Sequence, residues 1–170
     1  MYIITSLLRR LLIVLCLSLP HTLHAAVIES GQPAPNFSLP LLSGEQSVSL
    51  QQMRGKVVYV DFWASWCGPC RISFPLLDDI RQTYKDKGFE VLAINLDEFQ
   101  DDALQFLLEL PVSYPTLYDE AGNTPDSYGI LGMPTGFLID RSGTVRKVHQ
   151  GFRKSDGEKL RAEIVELLAE

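Results

Sequence analysis

A chain of 170 residues, 46% hydrophobic and 21% charged, has the composition of one ordinary globular unit and excludes a disordered, fibrous or low-complexity protein. Its formal net charge is −6, and beyond the first 26 residues no basic run is longer than Arg146-Lys147. That balance argues against nucleic acid and against an anionic membrane surface as partners.

Residues 1–26 stand apart from the rest. Arg9 and Arg10 form a basic start, Leu11 to Leu19 is a nine-residue apolar run, Pro20 breaks it, and the small residues Ala25 and Ala26 follow. This is the pattern of a secretory signal peptide. The alternative is an uncleaved anchor, for which the run is short beside the about 20 residues that a bilayer needs. Cys16 does not read as a lipoprotein site, because Leu15 precedes it where a small residue is wanted. Removing the segment takes away two arginines and no acidic residue, so the net charge falls to −8. Residues 27–170 remain, expected as one domain, periplasmic in location, with Cys67 and Cys70 its two cysteines.

Val27 to Asn36, with Gly31, Pro33 and Pro35, is an extended leader. Phe37 to Pro40 and Ser47 to Leu50 read as two short strands around Ser43-Gly44. Lys56 to Trp63 contains the β-branched and aromatic run Val57-Val58-Tyr59-Val60, continuous rather than alternating, as in a central strand covered on both faces. From Gly68 the apolar residues Ile72, Leu76, Leu77 and Ile80 recur at helical spacing as far as Lys87-Gly88, with Pro75 expected to kink the helix. Phe89 to Leu96 is a second apolar strand, Asp101 to Leu110 an amphipathic helix stopped by Pro111, and Pro115 to Tyr118 a strand. Thr124 to Tyr128 makes a single helical turn at most. Gly136 to Asp140 and Thr144 to His149 flank Arg141-Ser142-Gly143 as a hairpin. Ser155 with Glu158 is a capping box opening a last helix, whose stripe is Leu160, Ile164, Leu167 and Leu168. His149 is expected at the surface at a strand end, without a role. The class is α/β: a mixed central sheet with helices on both faces.

The chemistry gathers at Trp66-Cys67-Gly68-Pro69-Cys70. A disulfide with two residues between its cysteines closes almost no chain, so the pair is a poor staple in an exported protein and is well placed as a redox switch. Exchange needs an attacking thiolate, a nearby resolving thiol and access for a partner. At the start of a helix, Cys67 is favoured as a thiolate by unsatisfied N–H groups and the helix dipole, and Cys70, one turn further in, is the more buried resolving thiol. Gly68 and Pro69 suit a first helical turn. Asp61 lies in the middle of an otherwise apolar strand. Either it reaches water or caps a neighbour, or it is a buried carboxyl of raised pKa that takes the Cys70 proton.

The run Val60-Asp61-Phe62-Trp63-Ala64-Ser65-Trp66-Cys67-Gly68-Pro69-Cys70, with Pro75 following, resembles the thioredoxin active site. Gly31-Gln32-Pro33-Ala34-Pro35-Asn36-Phe37, Gly55-Lys56, Asn95-Leu96-Asp97 before an inserted helix, and Pro115-Thr116-Leu117-Tyr118-Asp119 resemble the exported TlpA/ResA-like branch of that family. The resemblance implies a thioredoxin fold with an N-terminal β-hairpin and an inserted helix. It implies a thiol:disulfide oxidoreductase without cofactor or metal, a cis-proline at Pro134, and a substrate groove drawn from Met133, Pro134, Trp66, Gly68 and Pro69. The partners expected are cysteine-containing protein substrates and, because reducing equivalents must come from somewhere, a membrane electron donor, and the expected state is a monomer. Three positions depart from the pattern. Ser73 and Thr135 stand where relatives carry acidic residues, and Ala93 where cytoplasmic thioredoxins have a lysine beside the buried aspartate.

Gly68-Pro69 between the cysteines resembles reducing thioredoxins, so a reductant is the expected direction; oxidation and isomerisation remain compatible with these residues, as does a peptide-binding module without redox chemistry. A zinc site would need four ligands, for which His149 and carboxylates alone are left beside the pair. A peroxidase of this fold would need a threonine where Ala64 stands.

Overall fold

The computed structural model describes residues 27–170, so the expected signal peptide, residues 1–26, lies outside the described residues. A two-stranded antiparallel hairpin, β1 (Ser38–Pro40) and β2 (Ser47–Ser49), precedes β3 (Val57–Trp63), α1 (Cys70–Tyr84), β4 (Phe89–Asn95), α2 (Gln100–Glu109), β5 (Thr116–Tyr118), α3 (Asn123–Tyr128), β6 (Thr135–Ile139), β7 (Val145–Gln150) and α4 (Asp156–Ala169). The main sheet runs β5-β4-β3-β6-β7, with β3, β4 and β5 parallel and β6 and β7 antiparallel to their neighbours. Among the described residues no helix is long and apolar enough to cross a membrane.

Every residue of β3 and of β4 is buried, which is why both read as continuous apolar runs. Alternation sends Val57, Tyr59 and Trp63 into a front core with Phe74, Leu77 and Ile80 of α1, Ala103 and Phe106 of α2, and Leu160, Ile164 and Leu167 of α4. Val58, Val60 and Phe62 point into a back core with Phe37, Leu50 and Tyr128 of α3. Helices therefore lie on both faces. Trp63, Phe74 and Phe106 meet with ring centroids 4.6, 4.9 and 5.0 Å apart, which ties the active-site helix and the inserted helix to the end of β3.

The leader and β1 together cross the back face as a strap. At one edge Gly31 N–H donates to Val145 O (2.7 Å), Val145 N–H to Gln32 O (2.9 Å) and Ala34 N–H to Gly143 O (3.0 Å). At the other, Leu42 N–H donates to Thr116 O (2.9 Å) and Leu41 bridges Leu117. Ala34 and Phe37 are buried along the way, so the leader contributes to the back core rather than merely preceding the fold.

Two local expectations are corrected. Ser155 does not form a capping box with Glu158. It already has helical dihedrals (φ −66°, ψ −21°), whereas a capping serine needs extended backbone, and the turn is closed instead by Arg153 N–H donating to Asp156 Oδ2 (2.8 Å). A capping box does occur where none was anticipated, between Ser49 and Gln52. The short helix α3 spans six residues rather than one turn, because Asp119 Oδ2 accepts from Thr124 N–H (2.8 Å) and Thr124 Oγ1 (2.5 Å) near its start. Pro75 sits inside α1 without ending it; its missing N–H falls on the Arg71 carbonyl.

Gly136 is paired with Asp61 across β3 and β6. A Cβ there would lie 1.9 Å from the Tyr59 hydroxyl, so the tyrosine ring occupies the space that a side chain would need. Gly136→Ala is expected to cost roughly 1 to 3 kcal/mol of stability, as other overpacked cores do, and urea unfolding will measure it.

Candidate active site

The active-site chain enters on β3, turns through residues 64–69 and leaves on α1. Cys67 and Cys70 are joined, with S–S 2.03 Å and Cα–Cα 5.3 Å. Cys67 N–H donates to Ala64 O (3.1 Å), and Cys67 Sγ accepts from Cys70 N–H (3.3 Å). Helix α1 opens on Pro69, which has no side-chain cap, so the Cys67 sulfur takes the acceptor position at the positive end of the helix. Cys70 is fully buried and Cys67 retains 4% of its surface, the order expected of a resolving and an attacking thiol. Around them Trp66 is 72% exposed and Gly68 and Pro69 are exposed, whereas Trp63 and Phe62 are core residues.

Asp61 is 1% exposed, and its Oδ2 has no hydrogen-bond partner. Lying between Tyr59 and Trp63 in the alternation, it shares the front face with Cys67 and Cys70. Its strand neighbour on β4 is Ala93, so no lysine stands beside it there. Burial pushes its pKa up to about 8, since an ionised carboxylate in an apolar core has lost its hydration.

The Met133–Pro134 peptide bond is cis. Thr135 pairs with Phe62, which puts the preceding loop at the same end of the sheet as Cys67, and Met133 packs against the cluster that holds both cysteines. Pro134 is buried, Leu131 is exposed, and Leu131 to Thr135 line a shallow cavity with Gln150 and Gly151. Of the departures noted in the sequence, Thr135 is buried with its hydroxyl donating to Gly132 O (2.6 Å), and Ser73 is buried with its hydroxyl donating to Cys70 O (3.2 Å).

Two groups of residues at or near the site were missed by sequence reasoning. Asp97 is buried and accepts from Ser65, two residues before Cys67. Its place in the family-like Asn95-Leu96-Asp97 was a signal, but the partner lies 32 residues away. His149 is the second case and corrects the surface assignment. It is partly buried, with Nδ1 at 3.3 Å from Tyr59 Oη and Nε2 at 2.8 Å from Glu163 of α4. Burial lowers its pKa against the opposing pull of Glu163.

The Redoxin family profile matches residues 29–164, which include every residue of this site. The chain belongs to the Redoxin family. It is 30% identical to the thiol-disulfide oxidoreductase ResA of Bacillus thuringiensis over 164 residues, covering 93% of this chain and 91% of that one. It is 38% identical to the thioredoxin-like protein YneN of Bacillus subtilis, covering 73% of each. Among solved structures it resembles a Chlorobium tepidum protein provisionally designated thiol:disulfide interchange protein DsbE, with TM-score 0.79 and 48% identity over 83% of this chain and 99% of that chain. This Redoxin member is thus a ResA-like thiol:disulfide oxidoreductase of thioredoxin fold, and Cys67-Gly68-Pro69-Cys70 is its exchange motif.

Proposed function

We propose that this oxidoreductase works in the periplasm as a reductant of cysteine-containing proteins, resupplied by a membrane electron donor and acting as a monomer. Residues 1–26 supply the export signal, and residues 27–170 the working domain. The observation that carries the mechanism is the disposition of Cys67 at a helix start, Cys70 behind it, and an unpartnered buried carboxyl on the same face. The Cys67 thiolate attacks one sulfur of a substrate disulfide; an S–S bond to Cys67 forms and the substrate's other sulfur leaves as a thiolate. Cys70 then gives its proton to Asp61 and attacks the Cys67 sulfur, closing the Cys67–Cys70 disulfide and releasing the second substrate thiol. The substrate gains two electrons and the dithiol loses them. Reduction by the donor reverses the path, with protonated Asp61 returning its proton to Cys70.

Substrate chains are held beside the proline loop, where Met133 offers backbone for strand-like pairing and Trp66, Gly68 and Pro69 form the opposite rim. Gly68-Pro69 between the cysteines supports the reducing direction. Equilibration with glutathione of known ratio, read by thiol alkylation, should give a potential near that of thioredoxin, about −270 mV. A value near about −120 mV, typical of a dedicated oxidant, would overturn the direction while leaving the exchange chemistry in place.

A further inference from the structure

Asp97 follows the end of β4 and is 5% exposed, an expensive place for a carboxylate unless donors surround it. Its Oδ2 accepts from Ser65 N–H (2.9 Å) and Asn95 Nδ2 (2.8 Å), and its Oδ1 from Ser65 Oγ (3.0 Å), with Ser65 N–H also 3.2 Å away. Asn95 Oδ1 in turn accepts from Asp97 N–H (3.1 Å), Asn95 is paired with Trp63, and Leu96 N–H donates to Trp63 O (2.9 Å). The end of β4 thus grips the chain at Trp63 and again at Ser65. The next fixed point is Cys67 N–H on Ala64 O, so the backbone carrying the nucleophile is tied down within a few residues on its entry side. On its exit side the helix does the same work.

We propose that Asp97 is a positioning residue of the exchange reaction, holding Ser65 so that Cys67 meets Cys70 in bonding geometry. An intramolecular disulfide is favoured in proportion to the effective concentration of one thiol at the other, and that concentration falls when either partner's backbone is released. Cys70 is held by α1, leaving Cys67 as the partner whose placement depends on the loop. The proposal rests on exchange by the Cys67–Cys70 pair and is independent of the direction in which electrons flow.

The test is the equilibrium constant for closing the disulfide against glutathione in the purified mature protein. In Asp97→Asn an amide nitrogen must face one of the donors, and closure should become about tenfold less favourable, equivalent to about 30 mV toward a more oxidising pair. Ser65→Ala, which keeps the backbone N–H, should move the constant the same way by about two- to threefold. Asp119→Asn is the control, because it is also a buried carboxylate that accepts from a backbone N–H and a hydroxyl, but those belong to Thr124 and not to the active-site loop. It should lose stability and keep the wild-type constant. A wild-type constant in Asp97→Asn, or an equal shift in Asp119→Asn, would overturn the assignment. If Asp97→Asn does not fold, Ser65→Ala decides between the same two outcomes. Failure of the wild-type protein to equilibrate at all would instead count against the functional reading.

Discussion

Cys70→Ser should convert the enzyme into a trap: Cys67 still attacks, but nothing within the chain releases the mixed disulfide, and turnover with a protein disulfide falls to background. The fold should survive the change. Serine replaces a fully buried cysteine without adding an atom, and the disulfide lost closes so short a loop that it contributes only about 2 kcal/mol in the chain-entropy picture. Non-reducing gels of a periplasmic extract should then show client proteins bound through Cys67, and Cys67→Ser should show none. Covalent adducts absent from Cys70→Ser, or equally abundant in Cys67→Ser, would remove Cys67 from the role of nucleophile. Unimpaired cellular function in the double serine variant would favour the binding-module alternative.

Asp61→Asn should stabilise the oxidised protein and slow it. The sign follows from proton binding. Below about pH 4 the carboxyl is protonated both in the folded protein and in the unfolded chain, and it adds no pH dependence. Between its ordinary pKa of 3.8 and its folded value of about 8, the unfolded chain has released the proton while the native protein keeps it. Native stability therefore falls as pH rises, by about 1.4 kcal/mol per unit, and levels out above about pH 8. By pH 7 the accumulated cost is on the order of 4 kcal/mol, less whatever the amide itself pays for burial. Urea unfolding at pH 5, 7 and 9 should show wild type losing stability relative to Asp61→Asn across the range. Parallel behaviour of the two proteins would mean that Asp61 is ionised throughout and not the buried acid described above.

The kinetic consequence runs the other way. Resolution of a mixed disulfide requires the Cys70 proton to leave, and a positioned acceptor of pKa about 8 is matched to a thiol in its ordinary range. Loss of a general base costs about 100-fold or more, so single-turnover closure should slow by that order in Asp61→Asn, and the part of its pH dependence that titrates with Asp61 at about 8 should be lost, leaving the rise that any thiol shows as it ionises.

How much of this was legible beforehand differs by residue. The strand Val57–Trp63 announced itself because all seven residues are buried, and the only polar one, Asp61, stood out against that background. The cysteine pair needed no fold at all, since spacing and count already disfavoured a structural staple. Asp97 and His149 were illegible for the opposite reason: each draws its meaning from partners brought by the sheet, Ser65 across β3 and β4 in one case, Tyr59 and Glu163 in the other. Ser155 shows a different failure. The Ser-x-x-Glu spacing was present and the helix does begin just after Ser155, but the serine already has helical dihedrals, and Asp156 closed the turn that Ser155 was assigned.

The strap across the back face bears on a hazard peculiar to a protein that handles extended chains. A sheet with bare outer strands is a template for any such chain, and for copies of itself. Here the continuous stretch of leader and β1 supplies backbone partners to both outer strands, to β7 at Val145 through Gly31 and Gln32 and to β5 through Leu41 and Leu42. Foreign backbone is thereby steered away from these margins and toward the loop at Met133, beside the sulfurs. Trimming the chain to residue 43 would therefore do more than open the back core at Ala34 and Phe37: it would bare both margins and give the enzyme a tendency to assemble edge to edge.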